Sequence, residues 1–351
     1  MINKIFKKKK IILGIETSFD DTSSSILKGN KILSNIIYTQ KKEHIKYKGI
    51  IPNIASNIHL KKIFNIVKLS IKKSNININN IDGIAFTRGP GLIGSLIIGE
   101  NFAKSISLCI NKPLFGINHI QAHILSFFIY NKEKIYPKFP YLCLSISGGH
   151  TKLVIVNNFF NIKIIGQTLD DSLGNLFDKL SIYLGLNYYN GSLLLEKYCY
   201  KGKNIFKFPI PNVKNLNFSF SGLKTYLFNF IKKNINNDNN FIKKNIYNIS
   251  RSFHETIFKI LIKKIKKAMK INNIINLAIT GGVTNNKFIK KKFIKYSKKK
   301  KINFFYLKNK SIINDNAAMI ALVGQIKYYY KLYDNYNIVS NTKFKIENYN
   351  L

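Results

Sequence analysis

Apolar positions along the chain alternate between two periods. Ile11–Ile15 is an apolar run of strand length that ends on the polar turn Glu16-Thr-Ser-Phe-Asp-Asp-Thr22. Strand-like runs follow at Ser24–Leu27 and Ile32–Ile37, and Leu60, Ile63, Phe64, Val67 and Ile71 then recur at helical spacing. Next come a predicted strand at Ile81–Phe86, the turn Gly89-Pro90-Gly91 and a helix from Gly94 to Cys109. A strand at Leu114–Ile117 and a helix from His119 to Ile129 close this half.

The loop Asn131–Pro140, with Pro137 and Pro140, reads as a boundary, and after it the pattern starts over. Strands are predicted at Tyr141–Ser147, Lys152–Val156 and Ile162–Gly166, then a helix from Asp171 to Leu184. A later strand at Ile274–Thr280 precedes a Gly-Gly turn and a helix, then a strand at Ile302–Leu307 and a helix from Asp315 to Tyr330. Three strands followed by alternating helices and strands, twice over, predict an α/β fold with a duplicated domain. The expected division is residues 1–136, residues 137–333 with a helical insertion at about 192–270, and a polar tail at 334–351. Lys- and Asn-rich stretches at Ile231–Asn240 and Val339–Leu351 read as solvated linker and tail. This outline is similar to the shared, ribonuclease H-like topology of actin and the sugar kinases. That likeness implies two domains facing a cleft that holds a nucleotide-like ligand.

Composition narrows the classes. With 46% hydrophobic residues, 26 Phe and 20 Tyr, the chain is too apolar for intrinsic disorder. No apolar run approaches the roughly 18 residues of a membrane span, and the stretch after the basic start is too short for a signal segment. Cys109, Cys143 and Cys199 are odd in number and far apart, so they form neither a disulfide framework nor a metal knuckle. The expectation is a cytoplasmic protein of two domains. The balance of 57 basic against 16 acidic residues, a net charge of +41, fits nucleic-acid binding. It fits equally a coding bias toward Lys, Ile and Asn, so charge alone assigns no function.

Five motifs carry chemistry. In His119-Ile-Gln-Ala-His123 the i, i+4 spacing puts two imidazoles on one helical face, where they share a borderline cation or simply fill hydrogen bonds. Gln121 between them cannot act as the base that a zinc peptidase needs. Ser145-Ile-Ser-Gly-Gly-His-Thr151 ends a strand on two glycines, whose amides can approach a phosphate or merely make a tight turn. In Asp170–Lys179, Asp178 lies too deep in the helix to cap it and is placed either to hold a ligand hydroxyl or to pair with a lysine. Gly281-Gly-Val-Thr-Asn-Asn286 and Asn314–Ala321 each run into a helix N-terminus, and Asp315 is a natural N-cap.

Taken together, these motifs resemble one family, the tRNA adenosine threonylcarbamoyltransferases, called TsaD in bacteria and formerly described as O-sialoglycoprotein endopeptidases. The resemblance runs from about Ile11 to Lys331. It also includes Gly14–Thr22, Pro52–His59, Gly89–Gly94 and Phe218-Ser-Phe-Ser-Gly-Leu-Lys-Thr225. It implies transfer of threonylcarbamoyl from threonylcarbamoyl-AMP to the N6 amine of adenosine 37 in tRNAs that read codons beginning with adenine. It implies one divalent metal, Fe(2+) or else Zn(2+), on His119, His123 and Asp315. Asp315 is expected from the second domain, so that the metal staples the two halves. Ser145, Ile146, Ser147, Gly148, Gly149, Asp178, Gly191 and Asn286 are implied to line the adenylate site. The implied partners are tRNA, a degenerate TsaB-like paralogue and a TsaE-like P-loop ATPase, with no membrane.

Phe19, Asn53, Gln121, Asn175 and Ala317 depart from the family's usual residues, and none is an implied ligand. Glu16, Asp20 and Asp21 are candidates for a general base. Three rival readings are weaker. Gln121 argues against a metalloprotease, and retention of His119, His123 and Asp315 argues against a non-catalytic scaffold. A small-molecule kinase would use a carboxylate base with magnesium.

Overall fold

The computed structural model describes residues 2–47, 49–131, 133–146, 148–186 and 191–346. The chain divides into two compact units. Unit 1 is Met1–Tyr136, Phe159–Asn161 and Leu307–Leu351; unit 2 is Pro137–Asn158 and Ile162–Tyr306.

Unit 1 begins with the short helix α1 (Ile2–Lys7) and the strands β1 (Ile11–Glu16), β2 (Asp21–Lys28) and β3 (Lys31–Thr39). After α2 (Lys41–His44) and α3 (Pro52–Ser74) come β4 (Gly83–Gly89), α4 (Ile93–Cys109), β5 (Leu114–Asn118) and α5 (His119–Leu125). The sheet order is β3-β2-β1-β4-β5, antiparallel through the first three strands and parallel across β1, β4 and β5. Central position explains why β1 and β4 read as continuous apolar runs: both faces are covered.

Unit 2 repeats the plan. Its strands are β6 (Tyr141–Ile146), β7 (Thr151–Val156) and β8 (Ile162–Gln167), then β9 (Asn276–Thr280) and β10 (Asn303–Tyr306). They pair in the order β8-β7-β6-β9-β10, the same order and directions as in unit 1. The duplication expected from the apolar pattern is therefore present strand for strand. The helices of unit 2 are α6 (Leu173–Tyr183), α7 (Gly191–Lys201), α8 (Ser221–Asn237), α9 (Phe241–Asn272) and α10 (Lys287–Lys300). The stretch between α7 and α8 is irregular, and Lys264 of α9 pins it by donating to the carbonyls of Val213 (2.7 Å) and Asn215 (2.9 Å). Ile231–Asn240 is not a solvated linker. Most of it is the last part of α8, with Ile231 fully buried in the unit 2 core.

The chain then returns to unit 1 through α11 (Lys310–Ile313) and α12 (Ala317–Tyr329). Here the expected division at residue 333 gives way, because α12 packs on β1, β2 and β4. Every residue from Ala317 to Lys327 is buried, which accounts for a helix that is apolar all round. Close approach is the reason for Gly14 in β1, where a Cβ would stand 2.3 Å from the Ala317 carbonyl oxygen. The described part of the polar tail is not free either: the carbonyls of Ile338, Val339 and Phe344 are bonded within unit 1. Among the described residues no helix is long and apolar enough to cross a membrane.

Candidate functional site

α5 is only seven residues long, below the length at which a helix stands alone, and Asn118 supplies its cap. Asn118 Oδ1 accepts from the amides of Ile120 (2.9 Å) and Gln121 (3.0 Å). On the face so fixed, His119 and His123 follow each other by one turn, and their Nε2 atoms lie 3.2 Å apart. Asp315, in the turn between α11 and α12, brings Oδ1 to 2.9 Å from His123 Nε2 and 3.5 Å from His119 Nε2. The N-cap of α12 is Asn316, which accepts from the Met319 amide, so the Asp315 carboxylate is not spent on capping.

All three side chains belong to unit 1. Asp315 is not brought from the second unit, and this donor set does not staple the two. The reason is α12, which returns to the β1 sheet and carries Asp315 in just ahead of it.

These residues fit a metal ion. The three donor atoms lie within 4.8 Å of one another. Two donors each about 2.1 Å from one ion stand roughly 3.0–3.4 Å apart at octahedral to tetrahedral angles, which matches the separations seen. The imidazole side chains are 2% and 1% exposed and the carboxylate 24%, so the set is open to water on the Asp315 side.

Glu16 stands behind His119. Its Oε2 accepts from His119 Nδ1–H at 3.1 Å and from the Thr87 hydroxyl at 2.5 Å, while Oε1 accepts from the Ser18 amide at 2.6 Å. This directs the His119 Nδ1–H at Glu16 and turns Nε2 toward the donor cluster. Burial disfavours charge on His119, but Glu16 and Asp315 outweigh it and raise its pKa to about 10. Burial likewise pushes Asp315 up, and the two imidazoles more than reverse that, holding it well below the usual carboxylate range. His123 Nδ1 has no hydrogen-bond partner among the described residues. One imidazole is thus oriented by a carboxylate, and the other has no such partner on its outer nitrogen among the described residues.

Asp20 sits in the turn after β1, whose shape His59 fixes, and Asp21 opens β2. His59 is buried, paired with Thr22 Oγ1 (2.8 Å) and with the Phe19 carbonyl (2.9 Å). Burial, then the charges of Asp20 and Asp315, push Asp21 up to about 7. The ring of Phe19 meets His119 edge-on, with centroids 6.0 Å apart. Gln121 donates its amide to the Phe159 carbonyl at 3.0 Å, a structural bond.

The other predicted site residues belong to unit 2. Ser147 lies outside the described residues. Ser145 and Ile146 end β6, and Ser145 Oγ pairs with His150 Nε2 at 3.2 Å. The Gly148 carbonyl accepts from Ser172, the cap of α6. A Cβ on Gly148 or Gly149 would meet nothing within 4 Å, so internal packing demands glycine at neither. Gly281 differs: its φ is +92° and a Cβ would stand 2.3 Å from the Ile146 carbonyl oxygen. That close approach brings the Gly-Gly turn after β9 against the end of β6. Asp178 does not pair with Lys179; its Oδ1 accepts from Ser192 Oγ at 2.7 Å, and Lys179 reaches Asp171 instead. Gly191 is packed on Ser181, whose Oγ would lie 2.2 Å from a Cβ.

Asn286 caps α10 through the Ile289 amide (3.0 Å) and donates to His254 Nε2 (2.9 Å). His254 donates from Nδ1 to the Ser250 carbonyl at 2.7 Å, and burial lowers its pKa to about 4. Glu16 was visible in the sequence only as a possible base, and Asn118, Ser172 and His254 gave no signal there. Each acts through a partner remote in sequence or through cap geometry.

A family model described as TsaD, tRNA N6-adenosine threonylcarbamoyltransferase, matches residues 31–322. The chain belongs to that family. A threonylcarbamoyltransferase of this name from Christiangramia forsetii is 43% identical over 335 residues, covering 95% of this chain and 98% of the relative. One from Riemerella anatipestifer is 40% identical over 339 residues, 97% and 99% of the two chains. Among solved structures, full-length HypF in a phosphate- and nucleotide-bound form aligns with a TM-score of 0.60 at 13% identity. It covers 91% of this chain and 56% of HypF. Component A of (R)-2-hydroxyglutaryl-CoA dehydratase from Acidaminococcus fermentans aligns at 0.51 and 13%, covering 91% and 98%. These structures share the actin-like fold of this chain.

Proposed function

We propose that this chain transfers the threonylcarbamoyl group from threonylcarbamoyl-AMP to the N6 amine of adenosine 37 in tRNAs that read codons beginning with adenine. Membership of the family supports the reaction. The observation that carries the site is the convergence of His119, His123 and Asp315 with Glu16 behind His119. A divalent metal, Fe(2+) or Zn(2+), when bound there supplies Lewis acidity toward substrate oxygens.

The residues do the rest. Glu16 keeps the His119 proton at Nδ1, and Asp315 offers an anionic oxygen on the open side. The amides of the Gly148-Gly149 turn are suited to phosphate oxygens of the adenylate, and the open space beside both glycines leaves room for them. Asp178, already accepting from Ser192, offers its carboxylate to a ribose or threonine hydroxyl. The N6 amine is a weak nucleophile, and its target is a carbamoyl–phosphate mixed anhydride. Holding the two in line and stabilising charge at the anhydride oxygens is therefore the main catalytic demand.

The tRNA reading gives the basic surface a use. Exposed lysines stand on both units, for example Lys61 and Lys68 of α3 and Lys298, Lys299 and Lys300 of α10. Within unit 1, α3 and α4 pack together, and Leu60 and Phe64 of α3 are 65% and 60% exposed. That apolar pair suits the TsaB-like paralogue, and a TsaE-like ATPase completes the proposed complex. Depleting the protein and analysing tRNA nucleosides by mass spectrometry tests the function. Threonylcarbamoyladenosine should disappear, and unchanged levels would remove the assignment.

A further inference from the structure

After α12 the chain stays on unit 1. The Asp334 amide donates to the Leu114 carbonyl (3.0 Å), and its carboxylate accepts from the Gly116 amide (2.9 Å) and from the buried Lys327 (2.7 Å). Further on, the Ile338 carbonyl accepts from Lys104 (2.6 Å), the Ser340 amide donates to Glu100 (2.5 Å) and the Asn341 amide donates to the Arg88 carbonyl (2.9 Å). Arg88 in turn donates to the Val339 carbonyl at 3.0 Å and lays its guanidinium 4.4 Å from the centre of the Phe344 ring. The last of these bonds runs to the metal helix: Asn118 Nδ2 donates to the Phe344 carbonyl at 2.9 Å.

Asn118 is buried and links two elements with one amide. Its oxygen caps the first turn of α5, and its nitrogen is held by the tail. With the nitrogen anchored, the oxygen has one orientation, and so do the first helical turn and His119. We propose that the C-terminal strap is a positioning element for the metal ligands, acting through Phe344 and Asn118. This rests on the metal reading of His119, His123 and Asp315. The strap lies beyond residue 322, where the family match ends.

Two chain ends, taken with a change at Asn118, test the contact. A chain ending at Phe344 keeps an acceptor there as the terminal carboxylate, and one ending at Lys343 loses it. Zinc affinity is measured by titration calorimetry on the metal-stripped protein. The chain ending at Phe344 should match the full-length protein, and the one ending at Lys343 should bind roughly threefold to tenfold more weakly, the scale of one buried hydrogen bond. Asn118→Ser keeps a good cap but is too short to reach Phe344, so it should show the same loss. In that background, shortening from Phe344 to Lys343 should cost nothing further. Should the shorter chain fail to fold, Asn118→Ser decides alone: wild-type affinity in that variant overturns the proposal. So does full affinity in the chain ending at Lys343, or a further loss in the Asn118→Ser background. A full-length protein that takes up no zinc overturns the metal reading itself, which separates the two failures.

Discussion

Glu16 Oε2 lies 3.1 Å from His119 Nδ1, and the other nitrogen of the same ring faces His123 Nε2 at 3.2 Å. One imidazole therefore joins the end of β1 to the donor cluster. The arrangement separates two jobs that the sequence alone leaves mixed: Glu16 orients His119 and is turned away from the open side.

Glu16→Gln tests that role. The amide keeps the size of the side chain but removes the charge that holds Nδ1–H. Metal affinity should fall about tenfold to a hundredfold, the usual cost of losing an orienting carboxylate. Metal content after dialysis against graded chelator reads the effect. An affinity equal to wild type would make Glu16 a bystander.

His254 gives a pH dependence with a definite sign. Its folded pKa is lowered to about 4 by burial, against about 6.5 in the unfolded chain. The unfolded state therefore binds more protons between those values. This stabilising contribution is complete above pH of about 6.5 and is lost as pH falls toward 4. Across that window the loss should be on the order of 3 kcal/mol. Urea unfolding of wild type and His254→Gln at pH 7.5 and 5 checks it. The wild-type loss on acidification should exceed that of the variant, and equal losses would contradict it.

Asp178→Ala should separate the two functional groups of residues. Asp178 belongs to unit 2 and the proposed metal donors to unit 1. A stable threonylcarbamoyl-AMP analogue should bind on the order of tenfold more weakly, the cost of a lost hydrogen bond to a polar ligand. Metal content should stay unchanged. Loss of metal with intact analogue binding would reverse the assignment.

Much of the fold and of the candidate site is legible in the sequence. Local apolar runs locate the ten strands of the described residues, because a strand's pattern depends on its own few residues. The His119/His123 pair is legible for the same reason: one helical turn fixes their relation. What sequence order obscures is return. Asp315 follows unit 2 in the chain, yet α12 packs on β1 and delivers it to unit 1. The Lys- and Asn-rich composition of Val339–Ile346 reads as solvent, but its backbone bonds to Arg88, Glu100 and Asn118 are independent of side-chain polarity. Asn316 rather than Asp315 caps α12, a choice that rests on backbone angles and not on residue type.

The most direct measurement is reconstitution. Metal-loaded protein is incubated with threonylcarbamoyl-AMP, a tRNA transcript with adenosine at position 37, and the TsaB-like and TsaE-like partners with ATP. Nucleosides are then analysed by mass spectrometry. Wild-type protein should form threonylcarbamoyladenosine at position 37, and His123→Ala, lacking one of the three metal donors, should form none above background. No product with wild type, or equal product with His123→Ala, would contradict a metal-assisted threonylcarbamoyl transfer built on His119, His123 and Asp315.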